Sequence, residues 1–502
     1  MELNKNILAI SILSATLVGC GGGSSSSSND EETPVTELPG FVTCNTDETI
    51  CTLEGTIDED FTLESGIEWR LGGFTVVGSG GSVLADAAAV TAAKEAGVTL
   101  TIEPGVHVKS FSTGALLVTR GSKLMAEGTA AQPITFSSIQ DDDFDGLGEW
   151  GGVIVQGFAP QYGPGNTGAC FGEGTVCNVE GEGGDEVGNF GGNEPADNSG
   201  VIKYVRIAEG GKVAGPNNEI NGLTLQGVGY GTTVEYVQVH NNLDDGVEWF
   251  GGTVNAKYLV LTGNDDDDID FDEGYQGNIQ YAIIRKNPAL EAPTGSNDPR
   301  AIEANSSDED YVPQTEGALA NITIIGSQMN KAEDNVQPGM RLRGSVTTRI
   351  YNSVVTNFDD CIRIDDSNTD GDDTTTGAGL PPGIDSASVV ELENVIGACD
   401  DKFYAKRDAD SEDGVVSMQE TVTFDDAVAI TEEVADNLED VTFEPVDNGS
   451  GFAFTATDYI GAVEPGTSAA GAWWAGWTIP GSLDDVAETF NGNVQQGNLL
   501  PQ

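Results

Sequence analysis

The chain has 502 residues, of which 82 are Asp or Glu and 21 are Lys or Arg, so its formal net charge is −61 at pH 7. So few cationic side chains cannot neutralise a phosphate backbone, which excludes a nucleic-acid-binding protein and disfavours an anionic membrane surface as a partner. Hydrophobic residues still make up 38% of the chain, which is enough for a large core and argues against wholesale disorder.

The N-terminus has the features of an export signal. A basic start precedes an apolar run over residues 7–18, and small residues lead to Cys20. This pattern resembles a bacterial lipoprotein signal, which implies removal of residues 1–19 and lipid attachment to Cys20. An ordinary secretory signal is the alternative. Residues 20–32 form a Gly/Ser-rich tether behind the anchor, and Gly21, where an inner-membrane retention signal has Asp, implies the outer membrane, with the periplasmic or external face left open.

The other six cysteines are predicted to form three disulfides, because exported proteins fold in an oxidising compartment. Two pairs share a Cys-x6-Cys spacing across polar, turn-like segments, and the last two cysteines remain for each other. The predicted pairs are Cys44–Cys51, Cys170–Cys177 and Cys361–Cys399. Metal ligation by cysteine is the competing interpretation, but no CxxC pair is present and the chain has only 2 His.

A repeat of about 22 residues organises the middle of the chain. Each copy begins with Tyr, continues with apolar and β-branched residues, and ends at Gly or Asn. The copies begin at Tyr204, Tyr236, Tyr258, Tyr281 and Tyr351. Short stretches with alternation predict strands, and one coil per repeat with long insertions at fixed corners predicts an all-β, parallel β-helix. A β-sandwich or a propeller is the alternative, but it would need hairpins, and Asn-Gly turns are few.

The chain also resembles secreted or lipid-anchored right-handed parallel β-helix proteins of Gram-negative bacteria. The resemblance extends from about residue 97 to residue 483, and the stretches that carry it include TIEPGVHV, LLVTRG, EWGGVIVQG, DNSGVIKYVRIAEGG and DDGVEWFGGTVNAK. It implies a right-handed parallel β-helix solenoid and an envelope location, and it implies no particular activity. We therefore expect one β-helix domain over residues 33–502, with a C-terminal cap at about residues 403–502.

A second repeat lies at the ends of the strand phrases. Asn242, Asn264 and Asn357 are each followed by an Asp pair, and these pairs are Asp244/Asp245, Asp266/Asp267 and Asp359/Asp360. Matching positions on successive coils stack, so the first two pairs should lie about one strand spacing apart. The next matching positions carry Glu248, Asp270 and Arg363.

Three interpretations of this repeat remain open. The carboxylates could bind Ca²⁺, which prefers clustered oxygen ligands. They could act as acid and base on a glycosidic bond, which makes Asp244, Asp245, Asp266 and Asp267 candidate catalytic residues. They could instead cap backbone N–H groups at turns. The candidate supporting bases, which the sequence does not place, are His240, Arg341, Arg343 and Arg363.

Two acidic loops have the order of ligands found in the first half of an EF-hand loop. One has Asp141, Asp143 and Asp145 followed by Gly146, and the other has Asp366, Asn368, Asp370, Gly371 and Asp372. Neither has Glu at position 12, and no helices flank them. We predict Ca²⁺ as the cofactor at these two loops, and a solvated acidic loop is the alternative.

Long insertions and a tryptophan group complete the pattern. Residues 162–199, 288–318 and 403–450 interrupt the repeat, and the first of these could form one wall of a binding surface. The tryptophans are Trp473, Trp474 and Trp477. They could stack on sugar rings, but we expect them to cover an open end of the solenoid, because terminal coils expose an apolar face.

The sequence thus predicts an acidic, calcium-binding β-helix lipoprotein of the outer membrane. We expect a non-catalytic binding or adhesion module whose partner is a glycan or an envelope protein. The alternative is a polysaccharide-degrading enzyme, similar to pectate lyases or polygalacturonases, that uses the stacked Asp residues.

Overall fold

The computed structural model describes residues 38–140, 142–162, 176–184, 186–215, 218–290, 294, 299–306, 312–332, 335–344, 346–365, 389–400, 402–406, 415–419, 443–464, 467–484 and 486. Almost all regular structure in these ranges is strand. The N-terminal strands are β1 (Val42–Cys44), β2 (Ile50–Ile57), β3 (Phe61–Leu63), β4 (Glu68–Val77), β5 (Thr99–Ile102), β6 (His107–Ser110), β7 (Ala115–Val118), β8 (Lys123–Glu127), β9 (Ile134–Ser138), β10 (Val153–Gln156), β11 (Val179–Glu180) and β12 (Asn189–Phe190). The middle strands are β13 (Gly200–Ala208), β14 (Val213–Gly215), β15 (Asn218–Glu219), β16 (Leu223–Gln226), β17 (Thr233–His240), β18 (Val247–Phe250), β19 (Ala256–Thr262), β20 (Ile269–Asp272), β21 (Gln276–Arg285), β22 (Ile302–Ser306) and β23 (Glu316–Ile325). The later strands are β24 (Lys331–Ala332), β25 (Asn335–Val336), β26 (Met340–Gly344), β27 (Thr347–Tyr351), β28 (Val354–Thr356), β29 (Asp360–Asp365), β30 (Val389–Glu393), β31 (Ile396–Ala398), β32 (Lys402–Lys406) and β33 (Val415–Gln419).

Helical structure is confined to short segments in the described ranges. The α-helix α1 covers Ala87–Glu95, and two 3-10 turns cover Gln328–Asn330 and Ala469–Gly471. Asp86 caps α1, since its side chain accepts hydrogen bonds from the amides of Ala88 and Ala89. No helix among the described residues is long and apolar enough to cross a bilayer.

The strands form three parallel ladders, which are the three faces of a parallel β-helix. The first face consists of β7, β10, β16, β18, β20, β22, β26, β29 and β32. The second consists of β3, β5, β8, the first halves of β13, β17, β19, β21 and β23, and then β27, β30 and β33. The third consists of β6, β9, the second halves of β13, β17, β19, β21 and β23, and then β28 and β31. The predicted parallel β-helix is therefore confirmed, and the sandwich and propeller alternatives are wrong.

Every second side chain of a strand points into the coils, and these inward side chains form the core. On the first face the inward rows include Val247, Ile269, Ile302 and Met340, and all four are buried. Because successive residues of a strand point to opposite sides, the residue after each of these points outward. The same ladder that stacks the core therefore aligns an outward row of polar side chains.

The tyrosines of the repeat mark a corner between the second and third faces. Tyr204, Tyr236, Tyr258 and Tyr281 all have left-handed backbone conformations, with φ between +50° and +64°. This conformation is rare for a bulky residue. It bends each strand in its middle, so that one strand contributes to two faces. The four rings stack, with centroids 4.4, 4.3 and 4.9 Å apart along the column.

The fifth tyrosine is not part of this column. The corner position in its coil belongs to Asn352, with φ +44°, and in the preceding coil to Asn321, with φ +57°. Tyr351 pairs with Ala320 on the second face and is buried. The sequence alignment of this copy was therefore wrong by one residue. Asn tolerates the left-handed region better than other residues, which explains why it can replace Tyr here.

The C-terminal residues 443–464 and 467–484, here called the C-terminal strap, lie along the side of the coils. Trp477 contacts Tyr204 and Tyr236 edge-on, at 5.7 and 6.1 Å between ring centroids, and Trp473 contacts Tyr258 at 5.3 Å. Trp474 and Trp477 are buried. The expectation that the tryptophans cover an open end of the solenoid is wrong. They cover the tyrosine column instead, because that column is the apolar strip on the outside of the coils.

Two of the three predicted disulfides are confirmed, Cys44–Cys51 and Cys361–Cys399. Cys170 lies outside the described residues, so its pairing with Cys177 stays a prediction. Cys20 and the other residues of the proposed signal and tether also lie outside them.

Arg120 attaches the first insertion to the coils. The side chain is fully buried and donates hydrogen bonds to the carbonyl oxygens of Gly80, at 2.9 Å, and of Gly191, at 3.0 Å. It also donates to the carbonyl of Cys177 and to Oδ1 of Asn178, which belong to the same insertion. Burial of an arginine is tolerated only when its donors are satisfied in this way. The position of the insertion over the first face follows from this anchor.

Candidate cation site on the first face

The outward row of the first face is acidic in the middle coils and basic in the later ones. Strand pairing aligns Thr224, Glu248, Asp270, Glu303, Arg341 and Arg363 in consecutive order. Neighbouring members are one strand spacing apart, about 4.8 Å. Three carboxylates therefore lie in a row before the first arginine. We call the surface around them the acidic face.

The loops that precede β18 and β20 add further carboxylates to this row. Ligand atoms lie within 4.8 Å of one another in three groups: Asp244, Asp245 and Asp266; Asp245, Glu248 and Asp270; and Asp267, Asp270 and Glu303. Asp245 and Asp270 each belong to two groups, so the three groups form a continuous chain. The predicted stacking of the first two Asp pairs is observed. The third pair, Asp359/Asp360, lies further along, beyond the coils of Glu303 and Arg341.

The asparagines of the motif do serve the turns. Asn242 donates from Nδ2 to the carbonyl oxygen of Asp245 at 2.8 Å, and Asn264 donates from Nδ2 to Oδ1 of Asp268 at 2.9 Å. Oδ1 of Asn264 accepts from the amide of Asn242 in the neighbouring coil at 3.1 Å. Oδ1 of Asp245 and Oδ1 of Asp267 also accept from backbone amides, each at 2.9 Å, and both carboxylates are buried. Asparagines and carboxylates of the motif therefore both bond to the backbone, as the capping interpretation predicts.

Positive charge is concentrated at one end of the row. Arg300 contacts Asp267 at 3.2 Å and also pairs with Glu303, which Arg343 approaches to 2.7 Å. Within the described residues, Asp244, Asp245 and Glu248 form no ion pair with Lys or Arg. The end of the row that lies under the first insertion therefore has carboxylates without a protein cation.

The first insertion supplies one more carboxylate, Glu182. Asn221 lies between it and the row, with Nδ2 donating to Glu248 and lying 3.5 Å from Oε2 of Glu182. At the end of β20, Oδ1 of Asp272 is buried and has no hydrogen-bond partner, and the same is true of Oε2 of Glu273, the next residue. Glu273 as a whole is only 7% exposed. Buried carboxylate oxygens without donors are costly unless something else satisfies them.

The electrostatic consequences are large. Burial, followed by the neighbouring carboxylates, raises the pKa of Asp244, Asp245 and Glu248 well above the ordinary range. Burial and then Glu182 raise the pKa of Asp272 to about 8, and burial raises the pKa of Glu182 to about 7. Such groups either keep their protons or share a cation.

A divalent cation fits this arrangement. Ca²⁺ takes six to eight oxygen ligands at about 2.3–2.6 Å, so two oxygens on one ion lie at most about 5 Å apart. The oxygens of each group meet this limit. Asp245, Glu248 and Asp270 form the group best placed to hold an ion, and Asp244 adjoins it through Asp245. Among the residues described, Asp244, Asp245 and Glu248 have no protein cation.

Comparison with known proteins assigns the family. A family model for pectate-lyase-like β-helix domains matches residues 55–478. The chain belongs to this family. A search of curated protein sequences found no significant match.

Several solved structures resemble this chain, among them a pectate lyase, a glucanase and a surface adhesin. Pectate lyase Pel9A is 11% identical over 75% of this chain and 85% of its own, with a TM-score of 0.33. The catalytic domain of a GH87 α-1,3-glucanase in complex with tetrasaccharides is 11% identical over 75% of this chain and 65% of its own, with a TM-score of 0.24. PfbA, a surface adhesin of Streptococcus pneumoniae, is 11% identical over 72% of this chain and 86% of its own, with a TM-score of 0.26. At these identities and TM-scores the three similarities assign neither an activity nor a ligand to this chain.

The other predicted site residues of this pectate-lyase-like β-helix protein lie apart from the acidic face or outside the described residues. Asp143 and Asp145 are exposed and belong to none of the carboxylate groups found among the described residues. The remaining predicted ligands lie outside those residues: Asp141, Asp366, Asn368, Asp370 and Asp372. Calcium binding by the two loops stays a prediction.

Of the four candidate supporting bases, two reach the acidic face and two lie elsewhere. His240 lies at the end of β17 on the third face, where Nδ1 is 2.8 Å from Oγ1 of Thr262. Arg341 and Arg343 reach the acidic face, at 3.7 and 2.7 Å from Oε1 of Glu303. Arg363 lies 3.8 Å from Oδ2 of Asp360.

Sequence reasoning missed four members of the site: Glu182, Asp272, Arg300 and Glu303. Glu182 lies in the first predicted insertion, and Arg300 and Glu303 lie in the second, residues 288–318. Part of that segment is not an insertion, because β22, which carries Glu303, is a strand of the first face. Asp272 follows Asp270 by two residues in β20, so period-two alternation could have placed it on the same face.

Proposed function

We propose that this pectate-lyase-like β-helix protein binds polysaccharide along the acidic face through Ca²⁺ and does not cleave it. The observation that carries the proposal is the chain of carboxylates Asp244, Asp245, Glu248 and Asp270, whose first three members lack a protein cation among the described residues. A bound Ca²⁺ would satisfy these oxygens and keep coordination positions for ligand oxygens. Sugar hydroxyl and carboxylate groups are suitable ligands of that kind.

Among the described residues, no Arg, Lys or His is placed to act as a free base on the acidic face, which favours binding over cleavage by a lyase. A general base must lie within hydrogen-bond reach of the proton that it removes. In the described part of the acidic face the basic groups Arg300, Arg341 and Arg343 are all engaged with carboxylates. His240 is on another face, and burial lowers its pKa to about 4.

A hydrolytic enzyme is the second candidate, and one observation favours it. Burial raises the pKa of Glu182 to about 7 and that of Asp272 to about 8, so each can hold a proton near neutral pH. Hydrolysis of a glycosidic bond needs a protonated carboxyl close to an ionised one. In this candidate function Asp244, Asp245, Asp266 and Asp267 would supply the second carboxylate, and a bound cation would have to keep it ionised, because burial raises the pKa of Asp244, Asp245 and Asp267.

The two functions are separated by measuring binding and product formation together. Full-length protein is incubated with acidic and neutral polysaccharides, with Ca²⁺ or with excess chelator, and both bound glycan and new chain ends are followed. We expect retention of a polysaccharide that needs Ca²⁺, without new ends. Product formation abolished by Asp245→Asn would establish the enzyme, and retention that persists in chelator would overturn the calcium-dependent proposal.

We further propose that Cys20 carries the lipid that holds the protein at the outer membrane, as the signal-like N-terminus predicts. Labelling of cells with an alkyne analogue of palmitate should mark the wild-type protein and fail to mark Cys20→Ser. The variant should also leave the outer-membrane fraction. Labelling of Cys20→Ser to the wild-type level would contradict the anchor.

A further inference from the structure

Lys286 and Asp268 form an ion pair in the interior of the protein. Nζ of Lys286 lies 3.0 Å from Oδ2 of Asp268, and neither side chain has any exposed surface. Asp268 immediately precedes β20 and Lys286 immediately follows β21, so the contact joins the beginning and the end of one coil. Taking two charges out of water is costly, and their mutual attraction often fails to compensate. Stability alone is therefore a weak explanation for this pair.

The other lysine ion pairs in the described part of the chain lie at the surface, and in each of them at least one side chain is 35% exposed or more. These pairs are Lys94–Glu194, Lys109–Asp142, Lys203–Glu235 and Lys331–Asp400. Water competes for the partners of an exposed pair. The amine and the carboxyl group of Lys286 and Asp268 are instead kept together, away from solvent.

Backbone carbonyl groups hold the amine of Lys286 beside this carboxyl group. Nζ donates to the carbonyl oxygen of Arg300 at 2.9 Å and to the carbonyl oxygen of Asp266. A neutral amine has two N–H groups and one lone pair. With both N–H groups donated to these carbonyls, the lone pair is left for Asp268. Oδ2 of Asp268 lies at contact distance but accepts no hydrogen bond within the described residues.

Asn264 binds the other oxygen of the carboxyl group. Its Nδ2 donates to Oδ1 of Asp268 at 2.9 Å, and the Asn264 side chain is fully buried. The backbone amide of Asn242 donates to Oδ1 of Asn264, which fixes Nδ2 as the atom that faces Asp268. When a nucleophile adds to a carboxyl carbon, negative charge develops on the oxygen, and a donor already in place stabilises it. Asp268 thus lies between a nucleophile and such a donor.

We propose that Lys286 and Asp268 condense to an intramolecular amide bond between Nζ and Cγ. One proton of the ammonium group passes to Oδ2, the nitrogen lone pair adds to Cγ, and a second proton from the nitrogen leaves with Oδ2 as water. The products are one amide and one water molecule, so no further reactant is needed. Contact in the folded chain replaces a bimolecular encounter, and exclusion of solvent protects the amide from hydrolysis. The bond closes residues 268–286 into a ring.

Peptide mass spectrometry on the full-length protein tests the bond. The protein is reduced, alkylated and digested with trypsin, which cleaves after Lys and Arg but not after an acylated lysine. In most of the molecules we expect residues 258–285 to be joined to residues 286–300, with a mass lower than the sum of the two peptides by one water. Fragmentation should assign the link to Asp268 and Lys286. Recovery of the two segments only as separate peptides, with cleavage after Lys286, would overturn the proposal.

Two variants control the measurement. The linked species should disappear in Lys286→Met, which lacks the amine, and persist in Lys203→Met. Lys203 is the matched control because it contacts Glu235 at 3.1 Å, but at the surface. An equal yield of a Lys203–Glu235 link in wild-type protein would overturn the assigned effect of burial. The wild-type spectrum decides the proposal even if Lys286→Met does not fold. The measurement needs neither Ca²⁺ nor a ligand, so its result is independent of the function proposed for the acidic face.

Discussion

The backbone amide of Asp267 donates a hydrogen bond to Oδ1 of Asp245 on the preceding coil, at 2.9 Å. One carboxylate oxygen of Asp245 therefore links two neighbouring coils. The same side chain also belongs to two of the carboxylate groups of the acidic face. Turn formation and cation binding are thus not exclusive functions for this residue. The bond restrains the carboxylate beside the other members of its two groups.

Removal of Ca²⁺ should make the stability of the protein depend on pH. A carboxyl group whose pKa is raised in the folded state stabilises that state most at pH values below its unfolded pKa of about 4. This contribution is lost as the pH rises through the pKa of the folded state. For Glu182 and Asp272 the folded values are about 7 and about 8. The chelated protein should therefore melt several degrees lower at pH 9 than at pH 7, and saturating Ca²⁺ should remove most of this difference.

The two histidines do not affect the comparison of melting temperatures at pH 7 and pH 9. Burial lowers the pKa of His107 and of His240 to about 4, so their contribution is lost only as pH falls from about 6.5 towards 4. Calorimetric melting at pH 7 and pH 9, with and without chelator, checks the prediction. Equal melting temperatures at both pH values in chelator would contradict it.

Asp245→Asn should lower the Ca²⁺ affinity at least tenfold, because it removes a charge from two carboxylate groups but keeps an oxygen for the amide of Asp267. Isothermal titration calorimetry measures the affinity directly. Asp143→Asn is the comparison, since Asp143 is an exposed residue of the predicted loop site. If Asp143→Asn removes calcium binding and Asp245→Asn does not, the cation belongs to the loop and not to the acidic face.

Glu182→Gln should stabilise the metal-free protein above pH 7. The charged form of Glu182 is disfavoured by burial, and the amide removes that charge at nearly constant volume. A rise of a few degrees in melting temperature is expected in chelator at pH 8, with a smaller change at pH 5, where the carboxyl is already protonated. A lower melting temperature of the variant in chelator at pH 8 would contradict the prediction, since it would show that the carboxylate stabilises the metal-free protein.

Trp477→Ala should cost about 3–5 kcal/mol of unfolding free energy, the usual range for removing a buried tryptophan. The indole is only 1% exposed and contacts two tyrosines of the column. Urea denaturation followed by fluorescence gives the change in midpoint. Val83→Ala is the control, since Val83 is 70% exposed and its loss should change stability by less than about 0.5 kcal/mol.

Replacement of Cys361 and Cys399 by Ser should destabilise the later coils. The disulfide joins residues separated by 38 positions, and constraining a loop of that length is worth about 4 kcal/mol in the chain-entropy model. Hydrogen exchange should show faster opening around β29, which contains Cys361, and around β31, which ends one residue before Cys399. Unchanged protection in both strands would show that packing alone holds these coils.

The repeat made the fold predictable, and the insertions limited the prediction of the site. Asp244 and Asp266 share a position in consecutive copies, so stacking followed from the sequence alone. Glu303 occupies the next outward position, but it was missed because residues 288–318 were interpreted as an insertion. Glu182 could not be placed, because its approach to Glu248 depends on how Arg120 anchors a loop far away in sequence. Tyr351 is an error of another kind. It matches the tyrosines of the other copies in sequence, but in the structure the corner residue of its coil is the next one, Asn352.

The C-terminal strap affects how cooperatively the coils of the solenoid unfold. In a simple repeat protein each coil contacts only its neighbours, so unfolding can start at an end and proceed coil by coil. Here the amide of Ile479 is bonded to Gln238, that of Thr455 to Gln280 and that of Ala462 to Thr323. Coils that do not touch one another are thereby connected through a single segment. Fraying of one coil under the strap must break contacts to others, so these coils should melt as one cooperative unit.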